Sequence, residues 1–241
     1  MMVVDQFLGE SIGMAAYRVA DVDGLCGEMF AGESQSFAYA KVATGDVAQV
    51  SALEGFGFRV VDAAVQLDCP AGDLKADSAL RDGYEVRLAQ PSDRSGVETV
   101  AAESFVYSRF HLDPQFPDTA ADEFKRRWAG NFFSGERGDA MIVACHGEEV
   151  AGFLQLLDHG DTVIIDLIAV AKSHQRKGLA AAMIGLAGRH FAKATSLLVG
   201  TQIANVPSMR AYQKLGFRVC DSSYVLHYHG PIDGAVASAS S

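Results

Sequence analysis

The apolar positions fall into short blocks whose period changes from block to block. Thr162-Val-Ile-Ile-Asp-Leu-Ile-Ala-Val170 is almost continuously apolar over a strand's length, as a strand buried on both faces would be. From Leu179 to Lys193 the pattern becomes helical, and Leu197 to Thr201 again reads as a strand. Asn205 then caps a helix, with Pro207 in its first turn, where a missing N–H does no harm. Ser208, Ala211, Tyr212 and Leu215 share one face of that helix, Gly216 ends it and Phe217 opens another strand. Upstream, Tyr84-Glu-Val-Arg-Leu88 is a strand, and Pro91-Ser92-Asp93 opens a helix that runs to about Tyr107. Ser108 to Pro117 is a loop, since its two prolines forbid a regular helix. A second helix covers Thr119 to Asn131. A hairpin follows, Met141 to His146 and Glu149 to Asp158, turned at Gly147.

The first 80 residues carry an internal repeat of the last part. Gly57-Phe-Arg-Val-Val-Asp62 is nearly Gly216-Phe-Arg-Val-Cys-Asp221, and the ungapped match pairs Ala52 with Ala211, Val47 with Val206 and Asp46 with Asn205. Strand-like runs precede each copy (Ser36 to Val42; Ser196 to Gln202) and follow it (Asp62 to Asp68; Ser222 to Tyr228). The alternative is two strand–helix–strand units alike by chance. Cys69 to Ser78, polar with Pro and Gly, reads as a linker. Three segments result: an N-terminal unit over 1–80, a main domain over 81–230, and a small, polar, frayed tail over 231–241.

Composition narrows the function. A net charge of −10 argues against nucleic acid as the main partner, although local basic residues could still bind phosphate. No apolar run reaches the ~18 residues a membrane span needs, and Met1 to Glu10 lacks the pattern of a signal peptide. Cys26, Cys69, Cys145 and Cys220 are far apart and form no C-x-x-C pair, so reduced thiols and a cytoplasmic location are expected. His227 and His229 share a strand face, but two histidines make no zinc site without further ligands, so no metal is expected.

The chemistry concentrates at Gln175-Arg-Lys-Gly-Leu-Ala180, a basic glycine turn between a strand and a helix. Such a turn is often only a tight connection. It is also a device for holding pyrophosphate, because amides in a helix's first turn lack intrahelical partners and the dipole's positive end attracts anions. Gly178 removes a side chain where phosphate oxygens approach the main chain, and Arg176 and Lys177 add charge. The spacing fits neither G-x-x-x-x-G-K-S/T nor G-x-G-x-x-G, which disfavours a P-loop nucleotidase and a dinucleotide fold.

Gln175, Gly178 and Ala180 match Q/R-x-x-G-x-G/A, the pyrophosphate turn of the GNAT superfamily of acyl-CoA N-acyltransferases. Ile168-Ala169-Val170 resembles the end of that superfamily's central strand, and residues 197–219 resemble its closing strand–Asn–helix–Gly-Phe block. The resemblance spans about residues 83 to 229. It implies an α/β (α+β) fold: a mixed, mostly antiparallel central sheet flanked by helices, here preceded by a degenerate half-unit over 35–68 with no cofactor turn. It also implies acetyl-CoA as cosubstrate, held by Ile168, Ala169, Val170, Gln175, Arg176, Lys177, Gly178, Leu179, Ala180, Asn205 and Ser208. The main-chain N–H near Val170 is the expected polariser of the thioester carbonyl.

Tyr212, seven residues after Asn205, is placed as the acid for the leaving thiolate, and its alternative is an amphipathic core tyrosine. Asn205 is both a cap and a pantetheine contact. Asp166, on the central strand, is the candidate base, or else a solvated strand-end charge. Arg109, Phe110 and His111 are the expected acceptor contacts, through phosphate pairing and stacking, against a loop pinned by its own aromatics.

Within the superfamily the layout resembles the dTDP-fucosamine acetyltransferases, which act on dTDP-4-amino-4,6-dideoxygalactose. The expected partner is therefore a small amine, foremost a nucleotide-linked amino sugar, with a homodimer as the expected assembly. Another small amine or amino acid as acceptor, and an inactive acyl-CoA-binding regulator, are the alternatives.

Overall fold

The computed structural model describes residues 1–31, 33–76, 80, 82–232 and 236–237. The strands are β1 (Met2–Val4), β2 (Ala15–Val19), β3 (Gln35–Ala43), β4 (Arg59–Pro70), β5 (Tyr84–Leu88), β6 (Ala140–His146), β7 (Glu149–Asp158), β8 (Thr162–Val170), β9 (Ser196–Gln202), β10 (Arg218–Pro231) and β11 (Val236–Ala237). The helices are α1 (Gln6–Ile12), α2 (Val47–Gly55), α3 (Arg94–Ser104), α4 (Asp118–Ser134), α5 (Leu179–His190) and α6 (Val206–Lys214). All strands join one 11-stranded sheet in the order β11-β1-β2-β3-β10-β4-β9-β8-β7-β6-β5. Pairing is antiparallel except for β1–β11, β2–β3 and β8–β9.

The repeat seen in the sequence is a near two-fold in the sheet, with its axis between β4 and β10. Arg218 faces Asp68 while Arg59 faces His227; Val219 faces Leu67 while Val60 faces Leu226. The register shifts obey the same relation, falling between Val219 and Asp221 on β10 and between the partners of Val225 and Leu226 on β4. Asp46 and Asn205 cap α2 and α6 alike, accepting from the N–H of Gln49 at 3.1 Å and of Ser208 at 3.2 Å. Gly57 and Gly216 both turn with positive φ, 96° and 103°, a conformation that strains any other residue. Phe58 and Phe217, which follow them, are fully buried. The two copies interleave. β10 lies between β3 and β4, and β4 lies between β10 and β9, so strands from 1–80 and from 81–230 interlock at the middle of one sheet.

Several sequence expectations shift. β1, α1 and β2 were not anticipated, because residues 2–19 carry too short a pattern. α3 ends at Ser104 and α5 at His190, earlier than the periodicity implies. The stretch read as a linker packs instead. β4 runs through Pro70, Leu74 and Ala76 pack on the main core, and the Lys75 N–H donates to the Leu215 carbonyl at 2.9 Å. A Cβ on Gly185 would approach the Ala76 carbonyl to 2.8 Å, so that glycine admits the crossing chain over α5. Residues 77–79 lie outside the described residues. Of the expected tail, β11 pairs with β1, while 233–235 and 238–241 lie outside the described residues. Among the described residues no helix is long and apolar enough to cross a membrane.

Candidate active site

The site begins where β8 and β9 part. Their parallel ladder runs from Thr162–Ser196 to Ile165–Val199 and stops there. On its other edge β8 stays paired with β7 through Val170, with a register shift around Asp166. The segment Ile168-Ala169-Val170 therefore leaves one main-chain edge to the gap, unpaired by any strand. α5 starts below that gap. Arg176 takes a left-handed conformation (φ 62°), as does Gly178 (φ 83°), which precedes the first helical residue, Leu179. Gln175 donates from Nε2 to the Val170 carbonyl at 3.1 Å, which ties the turn to the strand end. Lys177 donates to the Tyr84 hydroxyl at 2.7 Å; Tyr84 bonds His174 Nδ1 at 2.7 Å, and His174 Nε2 reaches Glu149 at 3.2 Å. This relay anchors the turn to β5 and β7. A flat, basic, glycine-opened turn at a helix start, beside a splayed strand pair, fits a linear pyrophosphate ester laid along the gap.

Tyr212 sits on α6 in the same core as Leu179, Met183 and the gap residues Ile168 and Val170, with its ring 5.6 Å from that of Phe217. Burial pushes its phenol above the ordinary tyrosine range, so it holds its proton at neutral pH. Asn205 spends its side-chain carbonyl on the Ser208 N–H.

Asp166 is the residue whose surroundings depart most from expectation. Its carboxylate accepts from Trp128 Nε1 at 2.9 Å, from Arg137 Nε at 2.8 Å and Nη2 at 2.6 Å, and from Gln155 Nε2 at 3.0 Å. Its four donors, two of them from the bidentate Arg137, occupy both carboxylate oxygens. It ties α4 and the 137 region to the bulge in β8.

The loop between α3 and α4 is pinned at both ends of its expected acceptor segment. His111 uses both ring nitrogens, on Ser108 Oγ at 2.6 Å and Asp122 at 3.0 Å. Phe110 is 1% exposed and packs among Phe37, Phe116 and Phe124, which gives it a core place in exchange for the stacking role expected of it. Arg109 lies over the Tyr39 ring at 3.8 Å, with Nη1 buried and unpartnered.

Two groups escaped the sequence. The first is Asp113, whose Oδ2 accepts from His227 Nδ1 and His229 Nε2, both at 2.7 Å. The three side chains offer ligand atoms within 4.8 Å of one another. Both nitrogens donate to a single oxygen, which is hydrogen-bond geometry and fixes the loop to β10. Burial, then nearby Arg109, lowers His227 to about 4 and keeps it neutral.

The second is Asp62 on β4. It is 6% exposed, and neither carboxylate oxygen has a hydrogen-bond partner. Burial pushes it up to about 6; the Ala63 amide and Gln202 side chain, near it but outside hydrogen-bond geometry, and then Lys41 and Arg109 pull the other way. Gln202 ends β9, opposite Ala64, so Asp62 borders the mouth of the gap. Its signal in the sequence was slight: a carboxylate in the repeat, opposite Val225, with no motif around it.

Comparisons with known proteins bear on the fold and the family. Residues 105–217 match the model of the Acetyltransferase (GNAT) family. The chain is 33% identical over 146 residues to the spore coat polysaccharide biosynthesis protein SpsD of Bacillus subtilis, a match covering 60% of this chain and 50% of that protein. It therefore spans only half the length of that relative. It is 25% identical over 190 residues to the dTDP-fucosamine acetyltransferase of Escherichia coli, covering 78% of this chain and 80% of that one. Among solved structures, a functionally unknown conserved protein of Staphylococcus epidermidis shares the fold with a TM-score of 0.64 at 13% identity, over 91% of this chain and 87% of that one. A GCN5-related N-acetyltransferase from Sphaerobacter thermophilus does so with a TM-score of 0.60, also at 13% identity, over 85% of this chain and 64% of its own. The sheet thus has the GNAT fold, and residues 105–217, a little under half of the chain, match the acetyltransferase domain of that family.

Proposed function

We propose that this protein transfers an acetyl group from acetyl-CoA to a primary amine, foremost the amino group of a nucleotide-linked amino sugar, by direct attack within a ternary complex. The observation that carries the transfer is the joined geometry of the β8–β9 gap, the Gln175–Ala180 turn beneath it and buried Tyr212 beside it. The acceptor class rests on the two curated relatives, one of them named for an amino-sugar acetyl transfer.

The turn from Gln175 to Ala180 holds the pyrophosphate, and the strand end Ile168 to Val170 lies along the pantetheine arm. The acetyl thioester supplies the electrophilic carbonyl, which the free main-chain edge near Val170 polarises. Asp62 takes the proton that the attacking amine releases; a carboxylate tuned to about 6 is mostly ionised at neutral pH and basic enough to do so. Tyr212 gives its proton to the leaving sulfur. Asp166 positions the bulge and leaves the proton traffic to these two. A cytoplasmic setting, where acetyl-CoA is made, accords with four free cysteines.

The direct test is mass spectrometry of products from acetyl-CoA and a panel of amines that includes nucleotide-linked 4-amino sugars. A product heavier by one acetyl group on a nucleotide sugar supports the acceptor. Acetylation of other amines alone removes the sugar, and turnover of none removes the transferase.

The cofactor turn has its own test. Gly178→Glu places a carboxylate and its bulk against the pyrophosphate, and acetyl-CoA affinity should fall at least roughly 100-fold, about two steps of 1.4 kcal/mol. Calorimetry on the folded variant, checked by circular dichroism, reads this. Unchanged affinity would move the pyrophosphate elsewhere.

A further inference from the structure

We infer that Arg109, Lys41 and Lys125 form a subsite for a phosphate or diphosphate group of the acceptor, with the N-terminal unit supplying one wall of it. This rests on the acetyltransferase reading for its acceptor, but its own observations are separate.

The three cations come from three places. Lys41 stands on β3, Arg109 in the loop after α3, and Lys125 on α4. Two of them are held by aromatic rings: Arg109 over Tyr39 at 3.8 Å and Phe110 at 4.6 Å, Lys125 over Phe105 at 4.7 Å and Trp128 at 4.6 Å. Tyr39 is itself fixed, since its hydroxyl donates to Asp5 at 2.9 Å. Among the described residues none of the three makes a salt bridge. Arg87, Arg94, Arg126 and Arg137 by contrast all pair with carboxylates. Lys125 is 9% exposed, and Arg109 Nη1 is buried with no partner.

Unpaired charges inside a protein are costly, and like charges side by side add to that cost. The strain shows in the groups themselves. Burial first, then repulsion from Arg109 and Lys41, brings Lys125 down to about 7, even with Asp166 attracting it. Burial likewise lowers Arg109; Lys41 reaches solvent, yet the surrounding protein and then Arg109 lower it, while Asp62 attracts both. A dianion would relieve all three at once. Aromatic faces around a guanidinium leave its N–H edge for an oxyanion, and a planar fork matches phosphate oxygens.

The position tells what the dianion is attached to. Lys41 and Asp62 both face Val225, from the strands on either side of it. They are two strand spacings apart, about 10 Å. An acceptor with its amine at Asp62 and a phosphate at Lys41 and Arg109 would bridge that distance with one sugar ring. The shared chemistry is a phosphate ester; a nucleoside diphosphate and a sugar 1-phosphate are its two sources.

The experiment is calorimetry on acetyl-CoA-saturated protein with thymidine 5′-diphosphate and with galactose 1-phosphate. Arg109→Gln and Lys41→Gln should each weaken whichever probe binds by tenfold or more and leave acetyl-CoA affinity unchanged. Binding should also take up protons near pH 7.5, read by repeating the titration in buffers of different ionisation enthalpy, because Lys125 recovers its proton beside an anion. Exposed Lys41 is safe to substitute, so Lys41→Gln carries the test if Arg109→Gln fails to fold. Preference for one probe assigns the source. Failure of both probes to bind at millimolar concentration, equal affinity in both variants, or displacement of the probe by acetyl-CoA would overturn the subsite. Acetylation of amines without any dependence on Lys41 or Arg109 would keep the transferase and remove the subsite. Probe binding through Lys41 in a protein that acetylates nothing would do the reverse.

Discussion

Tyr212→Phe is expected to lower kcat by roughly 10²–10⁴-fold while acetyl-CoA affinity stays close to wild type. The ring packs against Phe217 in a core shared with α5 and the end of β8, and phenylalanine preserves that packing. What disappears is a proton that burial holds on the phenol at every physiological pH. Single-turnover kinetics with acetyl-CoA in excess would place the loss on the chemical step. A change confined to KM would mean that Tyr212 binds substrate and transition state equally. Wild-type kcat with chemistry rate-limiting would leave Tyr212 as a packing residue, with water as the acid.

Asp62→Asn should push activity and stability in opposite directions. Losing the base is expected to cost roughly 10²–10⁴-fold in kcat. Stability should rise, and the sign follows from linkage. The folded carboxyl sits at about 6, above its ordinary 3.8, so the folded state holds the proton more tightly than the unfolded one. Its charge therefore destabilises the fold increasingly as pH climbs from about 4 to 6, and fully above that. Asparagine removes the penalty, which at about 1.4 kcal/mol per pKa unit amounts to ~1–3 kcal/mol at pH 7–8. Urea titrations at pH 8 should show the gain and titrations below pH 4 should not. An active variant, or one no more stable at pH 8, would return Asp62 to the background. Such a trade is common where a site keeps a charge in a place that folding alone would leave neutral.

Much of this architecture could be read from the chain because its strands are apolar runs and its breaks are chemically marked. Gly178, Gly216, Asn205 and Pro207 each do one local thing, and a local cause is visible in a linear pattern. The same holds for the repeat, where Gly57-Phe58 copies Gly216-Phe217 down to the backbone conformation. What stayed hidden depends on residues far apart in sequence. Asp166 looked like a free carboxylate until α4 and the 137 region brought Trp128 and Arg137 to it. Phe110 lies in a polar-looking loop, yet Phe37 and Phe124 close around it. Asp62 acquires its unusual environment only because β10 and β9 flank β4. The short N-terminal elements were missed for a different reason: β1 has three residues and α1 seven, too few for a period to declare itself.

The interleaved sheet also has a consequence for how the chain must be made. β3 and β4 belong to one copy of the repeat, yet they never pair with each other; β10 separates them. Until the ribosome has released residues beyond 218, both strands expose an edge that has no partner. β3 and β4 must therefore wait, with adhesive edges open, for β10 to appear. Long-range pairing of this kind makes for slow folding and a stronger claim on chaperones than local hairpins would. It also means that two fragments cut between the copies would each keep an open strand edge and could rebuild the sheet only by finding each other.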